Sequence, residues 1–137
     1  RNRRRLVAVH CDKGGGFEVV HGLLNRAMEV LRVPLAQELA HLEAPAEGGV
    51  GGRAAAARAR SAFGGGYAWR GEDHPSFLPG RRAVVRARGE VVGEFGIVHP
   101  EVLAAFDICY PVSALELDLG PFCFDQGFRS VLHQPFE

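Results

Sequence analysis

The chain has 137 residues, 47% of them hydrophobic, with 16 basic and 16 acidic side chains. That length suits one domain around one core, and the balanced charge excludes a global field that would draw the chain to nucleic acid or to an anionic membrane. Three cysteines, Cys11, Cys109 and Cys123, are odd in number and far apart, which excludes a disulfide framework or a C-x-x-C pair.

Free thiols fit a reducing compartment. The apolar runs fall short of the roughly 18 residues that a membrane helix needs, and no secretory signal is visible. The expectation is a soluble, cytoplasmic protein with no membrane partner. A chain that begins at Arg1 reads as a fragment. Fifteen Arg against a single Lys, Lys13, together with 18 Gly, reads as the imprint of GC-rich coding DNA.

Residues 5–11 alternate Leu6, Ala8 and His10 against Val7, Val9 and Cys11. Both faces are fairly apolar, so the reading is a short inner strand. Residues 12–16 form a turn. Residues 17–32 carry the best helical pattern, ended by Pro34. Glu18, His21, Asn25, Glu29 and Arg32 make one narrow polar stripe, with Arg26 beside it. The rest of the helix is apolar or small, which calls for burial on two sides. One side suits the helix's own sheet and the other a partner chain. The candidate partner-contact residues are Phe17, Val20, Leu23, Leu24, Ala27, Met28 and Leu31.

Residues 43–66 are mostly Ala, Gly and Arg. They read as a surface insertion within one domain and not as a boundary between two. A short strand is expected at 67–70 and a proline-punctuated loop at 73–80. A hairpin follows, with arms 83–88 and 91–98 and Gly89-Glu90 as a type II′ tip. Gly93 and Gly96 leave room for another element to approach. His99-Pro100-Glu101 opens a short helix to Phe106. Residues 112–119 alternate Leu115, Leu117 and Leu119 against Glu116 and Asp118, as a half-buried strand does. The order predicts an α+β fold, an antiparallel β-sheet flanked by helices.

Residues 2–6, 16–24, 79–81, 93–102 and 113–122, taken together and in that order, resemble phenylalanine–tRNA ligase beta subunits of the archaeal/eukaryotic cytosolic type. Gly93-Glu94-Phe95-Gly96-Ile97-Val98-His99-Pro100-Glu101-Val102 resembles that family's glycine-spaced H-P signature, and Pro79-Gly80-Arg81 stands ahead of it as P-G-R does there. Ser113-Ala114-Leu115-Glu116-Leu117-Asp118-Leu119-Gly120-Pro121-Phe122 resembles its S-x-L-E ending in G-P-F. Gly16-Phe17-Glu18-Val19-Val20-His21-Gly22-Leu23-Leu24 is similar to its G-F-E helix, and Asn2-Arg3-Arg4-Arg5-Leu6 to the lead into the strand before it. The matches keep family order over residues 1–122, interrupted by the 43–66 insertion. The 123–137 tail runs past the point where that type stops, and its role is not given by the resemblance.

The resemblance implies a class II aminoacyl-tRNA synthetase-like fold in a degenerate, C-terminal catalytic-like module. It implies an alpha-subunit partner in an alpha2beta2 heterotetramer and tRNA-Phe reached through the complex. ATP and Mg2+ would act at the alpha subunit, none being bound by this chain. Pro79, Gly80, Arg81, Gly93, Gly96, His99, Pro100 and Glu116 would then be structural signature residues. Glu116, on the face opposite Leu115 and Leu117, suits either a relic of the ancestral pocket or, the favoured reading, a pair with an arginine.

The residues agree that this chain lacks catalytic equipment. A class II site needs arginines to neutralise phosphate charge as the adenylate forms. Phe128-Arg129 begins like the first arginine motif but continues Ser130-Val131, without the acid. No G-x-G-x-x-R string exists, and the first arginine after Gly64-Gly65-Gly66 is Arg70, too late for that motif. Gly14-Gly15-Gly16 lacks the Walker lysine, so it reads as a turn. His10, Cys11 and Asp12 are adjacent on a strand and cannot converge on one metal ion. Two alternatives stay open. Arg3, Arg4 and Arg5 form a basic run suited to tRNA phosphates, though without aromatic residues to stack bases. A small cysteine-dependent enzyme with a Cys–His pair from distant positions is the other.

Overall fold

The computed structural model describes residues 3–37 and 66–123. The expected insertion (Gly66 apart) and the tail from residue 124 onward lie outside the described residues. Five strands, β1 (Arg5–Cys11), β2 (Tyr67–Gly71), β3 (Phe77–Ala87), β4 (Glu90–Val98) and β5 (Val112–Asp118), form one sheet in the order β1-β5-β4-β3-β2. Every neighbouring pair is antiparallel. Helix α1 (Phe17–Val30) crosses one face, α2 (Pro100–Ala105) follows β4, and α3 (Gly120–Cys123) follows β5. The α+β expectation holds, but β1 lies at an edge of the described sheet, bonded to β5 alone. Two fairly apolar faces had suggested an inner strand. Side-chain pattern reports what lies above and below a strand, not what lies beside it.

The core sits between α1 and the sheet. Val20, Leu24 and Met28 of α1 meet Phe95 of β4, Leu115 and Leu117 of β5, and Val85 of β3, all essentially without solvent exposure. Register explains the layer. Leu6 stands opposite Leu117, Ala8 opposite Leu115, and Phe95 opposite Leu115, so the period-2 alternation of three strands is in phase on one face.

Helix α1 starts at Gly16, which has no side-chain cap; its N–H donates instead to the buried Ser113 Oγ at 3.0 Å. A Cβ at Gly16 would lie 2.2 Å from His10 Nδ1, so a capping serine or aspartate there would displace that ring. The helix stops at Val30, two residues earlier than the sequence pattern suggests, and Pro34 is not what stops it. Arg32 takes a left-handed φ of 57°, its N–H donates to the Glu29 carbonyl, and the Val33 N–H reaches back to the Met28 carbonyl at 2.9 Å. This is a Schellman ending with arginine in the place that favours glycine. Arg32→Gly is therefore expected to stabilise the fold by about 0.5–1 kcal/mol. A rise of the urea midpoint checks it, and no rise would mean that the Arg32 side chain holds something worth as much as the backbone strain.

The β3–β4 tip is Arg88-Gly89, with φ of 54° and 78°, and β4 already begins at Glu90. Two successive positive φ values make a type I′ turn, one residue ahead of the expected Gly89-Glu90 tip. Arg88 Nη1 also donates to the Pro121 carbonyl at 2.7 Å, tying the tip to α3. Further along, β3 bulges between Phe77 and Arg82. Pro79-Gly80-Arg81 is that bulge: Gly80 has φ of 70° and its N–H donates to Asp73 Oδ1 at 2.9 Å. The bulge lies over Gly96, where a Cβ would sit 2.6 Å from the Arg81 carbonyl oxygen. At Gly93 a Cβ would sit 2.3 Å from the Glu116 carbonyl oxygen of β5. The close approach expected at both glycines comes from the neighbouring strands themselves. His99 caps α2, its Nδ1 accepting from the Glu101 N–H at 3.2 Å, with Pro100 at the first turn.

Candidate subunit interface

The seven candidate contact residues of α1 divide once the helix is seated. Val20, Leu24 and Met28 are buried against the sheet, while Phe17, Ala27 and Leu31 pack half-buried at its margin. These six hold the chain's own fold, and only Leu23 presents a largely open side chain to solvent. The physical reason is phase. At 100° per residue the core residues occupy one arc of the helix, and Leu23 falls beyond its edge.

Leu23 has companions that the candidate set left out. Val19, Leu23 and Val30 are 53%, 40% and 61% exposed and fall within an arc of roughly 40° on the helix. Their spacing of four and then seven residues was readable in the sequence; which apolar arc the sheet would take was not. On the opposite flank, His21 stacks on Phe95 at 5.1 Å and meets Trp69 of β2 edge-on at 5.2 Å. The stripe therefore lies on the flank of α1 that turns toward β1. Side chains of this kind contribute about 1.5–3 kcal/mol each when fully covered, and a partly exposed trio contributes about half of that per residue, so the stripe is one patch of a wider contact.

The other face of the sheet has no described helix across it. Alternation places Arg5, Val7, Val9 and Cys11 of β1, Glu116 and Asp118 of β5, Glu94 of β4, and Arg82, Val84 and Arg86 of β3 on that side. Glu94 and Glu116 stand directly opposite one another in register, an arrangement that costs energy unless each charge is matched. Each is matched. Arg5 Nη1 pairs with Glu116, as the sequence reading expected. The Arg82 Nε and Nη2 both donate to Glu94 Oε2, the former at 2.8 Å. Arg82 is further held by the Glu72 carbonyl at 3.0 Å and lies 5.7 Å from the Phe77 ring centre. Arg86 reaches Glu72 at 3.4 Å. A cavity of about 300 Å³ on this face is lined by Arg3, Arg5 and Arg82 against Glu94, Glu116 and Asp118. A triphosphate placed there would meet as many carboxylates as guanidinium groups, whereas a phosphate site needs an excess of donors and positive charge.

The remaining candidates fall as follows. Pro79, Gly80, Arg81, Gly93 and Gly96 meet at the bulge and strand crossings of β3, β4 and β5; His99 and Pro100 start α2; Glu116 belongs to the charge row. The structure does not gather them into one pocket. Of the basic run, Arg5 is engaged by Glu116, and Arg3 and Arg4 are exposed at its start. His10 and Cys11 point to opposite faces of β1, and Gly14-Gly15 is a turn closed by the Gly15 N–H on the Asp12 carbonyl. No helix among the described residues is long and apolar enough to cross a membrane.

A family model described as the phenylalanyl tRNA synthetase beta chain CLM domain matches residues 1–119. A phenylalanine–tRNA ligase beta subunit of Homo sapiens is 36% identical over 122 residues, covering 89% of this chain and 16% of the human protein. The beta subunit of Drosophila melanogaster is 41% identical over 123 residues, covering 89% of this chain and 17% of its own. An Arabidopsis thaliana protein named as the cytoplasmic phenylalanine–tRNA ligase beta subunit is 41% identical over 118 residues, covering 86% and 17%. The chain thus spans about a sixth of the length of the curated relatives it matches.

Proposed function

The chain belongs to the family of phenylalanyl-tRNA synthetase beta chains by its CLM domain, and on that premise we propose that it is a C-terminal, catalytic-like module that supports aminoacylation without performing it. Its fold is a degenerate relative of the class II synthetase catalytic domain. Its partner is the alpha subunit, in an alpha2beta2 assembly of the cytoplasm. ATP and Mg2+ act at the alpha subunit, tRNA-Phe is reached through the whole complex, and this chain holds no cofactor of its own. The single domain covers residues 1–122, with the 43–66 stretch as an insertion and the last residues as a tail.

One observation supports the non-catalytic part above others. The arginines Arg5, Arg82 and Arg86 of the open sheet face are each committed to a carboxylate. Binding a nucleotide there would break ion pairs before making any. The exposed pairs contribute little to stability, but Arg82–Glu94 is largely shielded from water and adds a penalty for any intruding phosphate. The interface part rests on Val19, Leu23 and Val30, apolar side chains that α1 does not spend on its own sheet.

The test is Leu23→Asp in the beta subunit co-expressed with alpha. An exposed position accepts the carboxylate without unfolding, so circular dichroism of the beta chain should not change. Alpha should fail to co-purify, or its affinity should fall by at least about tenfold, the equivalent of one well-buried contact. Undiminished complex formation by the folded variant would reject the α1 flank as the contact.

A further inference from the structure

A cavity of about 420 Å³ lies apart from the main core, where the turn before α1, the start of β3, the end of β4 and α2 with its following loop come together. Its walls are Leu78, Ile97, Val98, Leu103 and Ile108, all branched aliphatic side chains. Leu103 is only 8% exposed, yet it does not belong to the cluster that α1 builds on the sheet. A volume of this size with an apolar lining is what small-molecule sites share.

Backbone bonds hold both sides of the cavity. Helix α2 ends in a Schellman motif: Asp107 takes φ of 55°, its N–H donates to the Ala104 carbonyl at 3.2 Å, and the Ile108 N–H reaches the Leu103 carbonyl at 3.0 Å. That ending brings Ile108 back onto Leu103. On the other side the Asp12 N–H donates to the Pro111 carbonyl and the Gly15 N–H to the Asp12 carbonyl, both at 3.3 Å. The lining is therefore preformed, which keeps the ordering cost of binding small. The loop nevertheless leaves Phe106, Ile108 and Tyr110 72%, 40% and 50% exposed, and apolar surface gathered in this way marks binding sites.

Charge selects the ligand class. Lys13, the single lysine of the chain, is the one charged residue of the lining. No carboxylate among the described residues pairs with its ammonium group. Asp12, next to it in sequence, turns its Oδ1 to the Lys13 backbone N–H at 2.6 Å and does not line the cavity. We propose that this cavity binds a medium-chain aliphatic monocarboxylate, its chain against Leu78, Val98, Leu103 and Ile108 and its carboxylate against Lys13. An alcohol of the same length gains the apolar contact without the ion pair, and a cationic amphiphile meets like charge. A phosphate ester calls for several charged donors where this site has one.

The site is independent of the α1 flank, and the alpha–beta complex itself serves for the test, with Cys109 as reporter. Cys109 lines the cavity and is exposed; Cys11 is exposed and does not line it. Alkylation by iodoacetamide is followed at each cysteine by peptide mass spectrometry. Saturating octanoate should slow the reaction at Cys109 by about fivefold or more and leave Cys11 unchanged. Octanol should protect less well, and acetate and octyltrimethylammonium not at all. Lys13→Met should raise the octanoate concentration for half-protection by about threefold or more, the worth of a partly exposed ion pair, and should leave that of octanol unchanged. Ala104→Phe, which puts a ring into the cavity from an exposed position of α2, should remove protection by both. Equal slowing of the two cysteines, equal protection by octanoate and the ammonium compound, or a Lys13→Met complex that behaves as the parent overturns the proposal. So does a Cys109 that fails to react before any ligand is added, because another part of the assembly then fills the cavity.

Discussion

Phe95→Ala is expected to lower the unfolding free energy by about 3–5 kcal/mol, the range for emptying a fully buried aromatic site. Among the described residues Phe95 is the largest completely buried side chain, in the middle of β4. Its ring is met by Phe17 at 5.3 Å, by His21 in a stacked arrangement at 5.1 Å and by Trp69 edge-on at 6.3 Å. Truncation leaves a cavity and also removes the surface on which the first turns of α1 rest. The loss thus adds a rigid-body term to the transfer term. Urea unfolding followed by far-ultraviolet circular dichroism should show a lower midpoint at nearly unchanged slope. A loss under about 1 kcal/mol would mean that α1 can slide to fill the void, and the seating described for it would be wrong.

Gly93→Ala should cost about 3 kcal/mol, at the upper end of the range for overpacking a rigid site. The added Cβ would lie 2.3 Å from a backbone oxygen and 3.0 Å from Leu117 Cδ1. A flexible side chain gives way cheaply, but the β5 backbone does not. Gly96→Ala meets the same obstacle at 2.6 Å from the Arg81 carbonyl oxygen and should cost somewhat less, because a bulge has more freedom than a central ladder. Thermal unfolding of both variants beside Gly22→Ala, where nothing lies within 4 Å, isolates the steric effect. Gly22 sits inside α1, so its alanine variant should gain stability by about 1 kcal/mol. Equal behaviour of all three would sink the explanation. Two separated pieces of the resemblance, Pro79-Gly80-Arg81 and Gly96 of the H-P signature, are then two halves of one steric device.

Much of this fold was legible in the chain itself. Alternation in β1 and β5 named the face of Leu115 and Leu117, proline at position 100 and His99 marked the start of α2, and Glu116 was expected to pair with an arginine. The strand and helix features depend on neighbours two to four residues apart, whereas Glu116 was expected to pair without its distant partner, Arg5, being named. The errors have a different origin. The end of α1 depended on a left-handed Arg32, a conformation that composition disfavours and that the Schellman bonds hold in place. The hairpin tip moved by one residue because Arg88 accepts a positive φ while bonded to Pro121, a partner far away in sequence.

By itself, the sequence determined the α+β class, the family, and the absence of the arginine motifs that grip ATP. These follow from local periodicity and from short contiguous strings, which a chain carries whether folded or not. Only the tertiary structure decided that Leu24 belongs to the core and Leu23 to the surface, that β1 stands at an edge of the described sheet, and that the arginines of the open face are already matched by Glu116, Glu94 and Glu72. The physical reason is that periodicity shows how many faces a segment wants to bury, while which neighbour covers each face depends on strand order and register. Those are set by contacts between residues far apart along the chain.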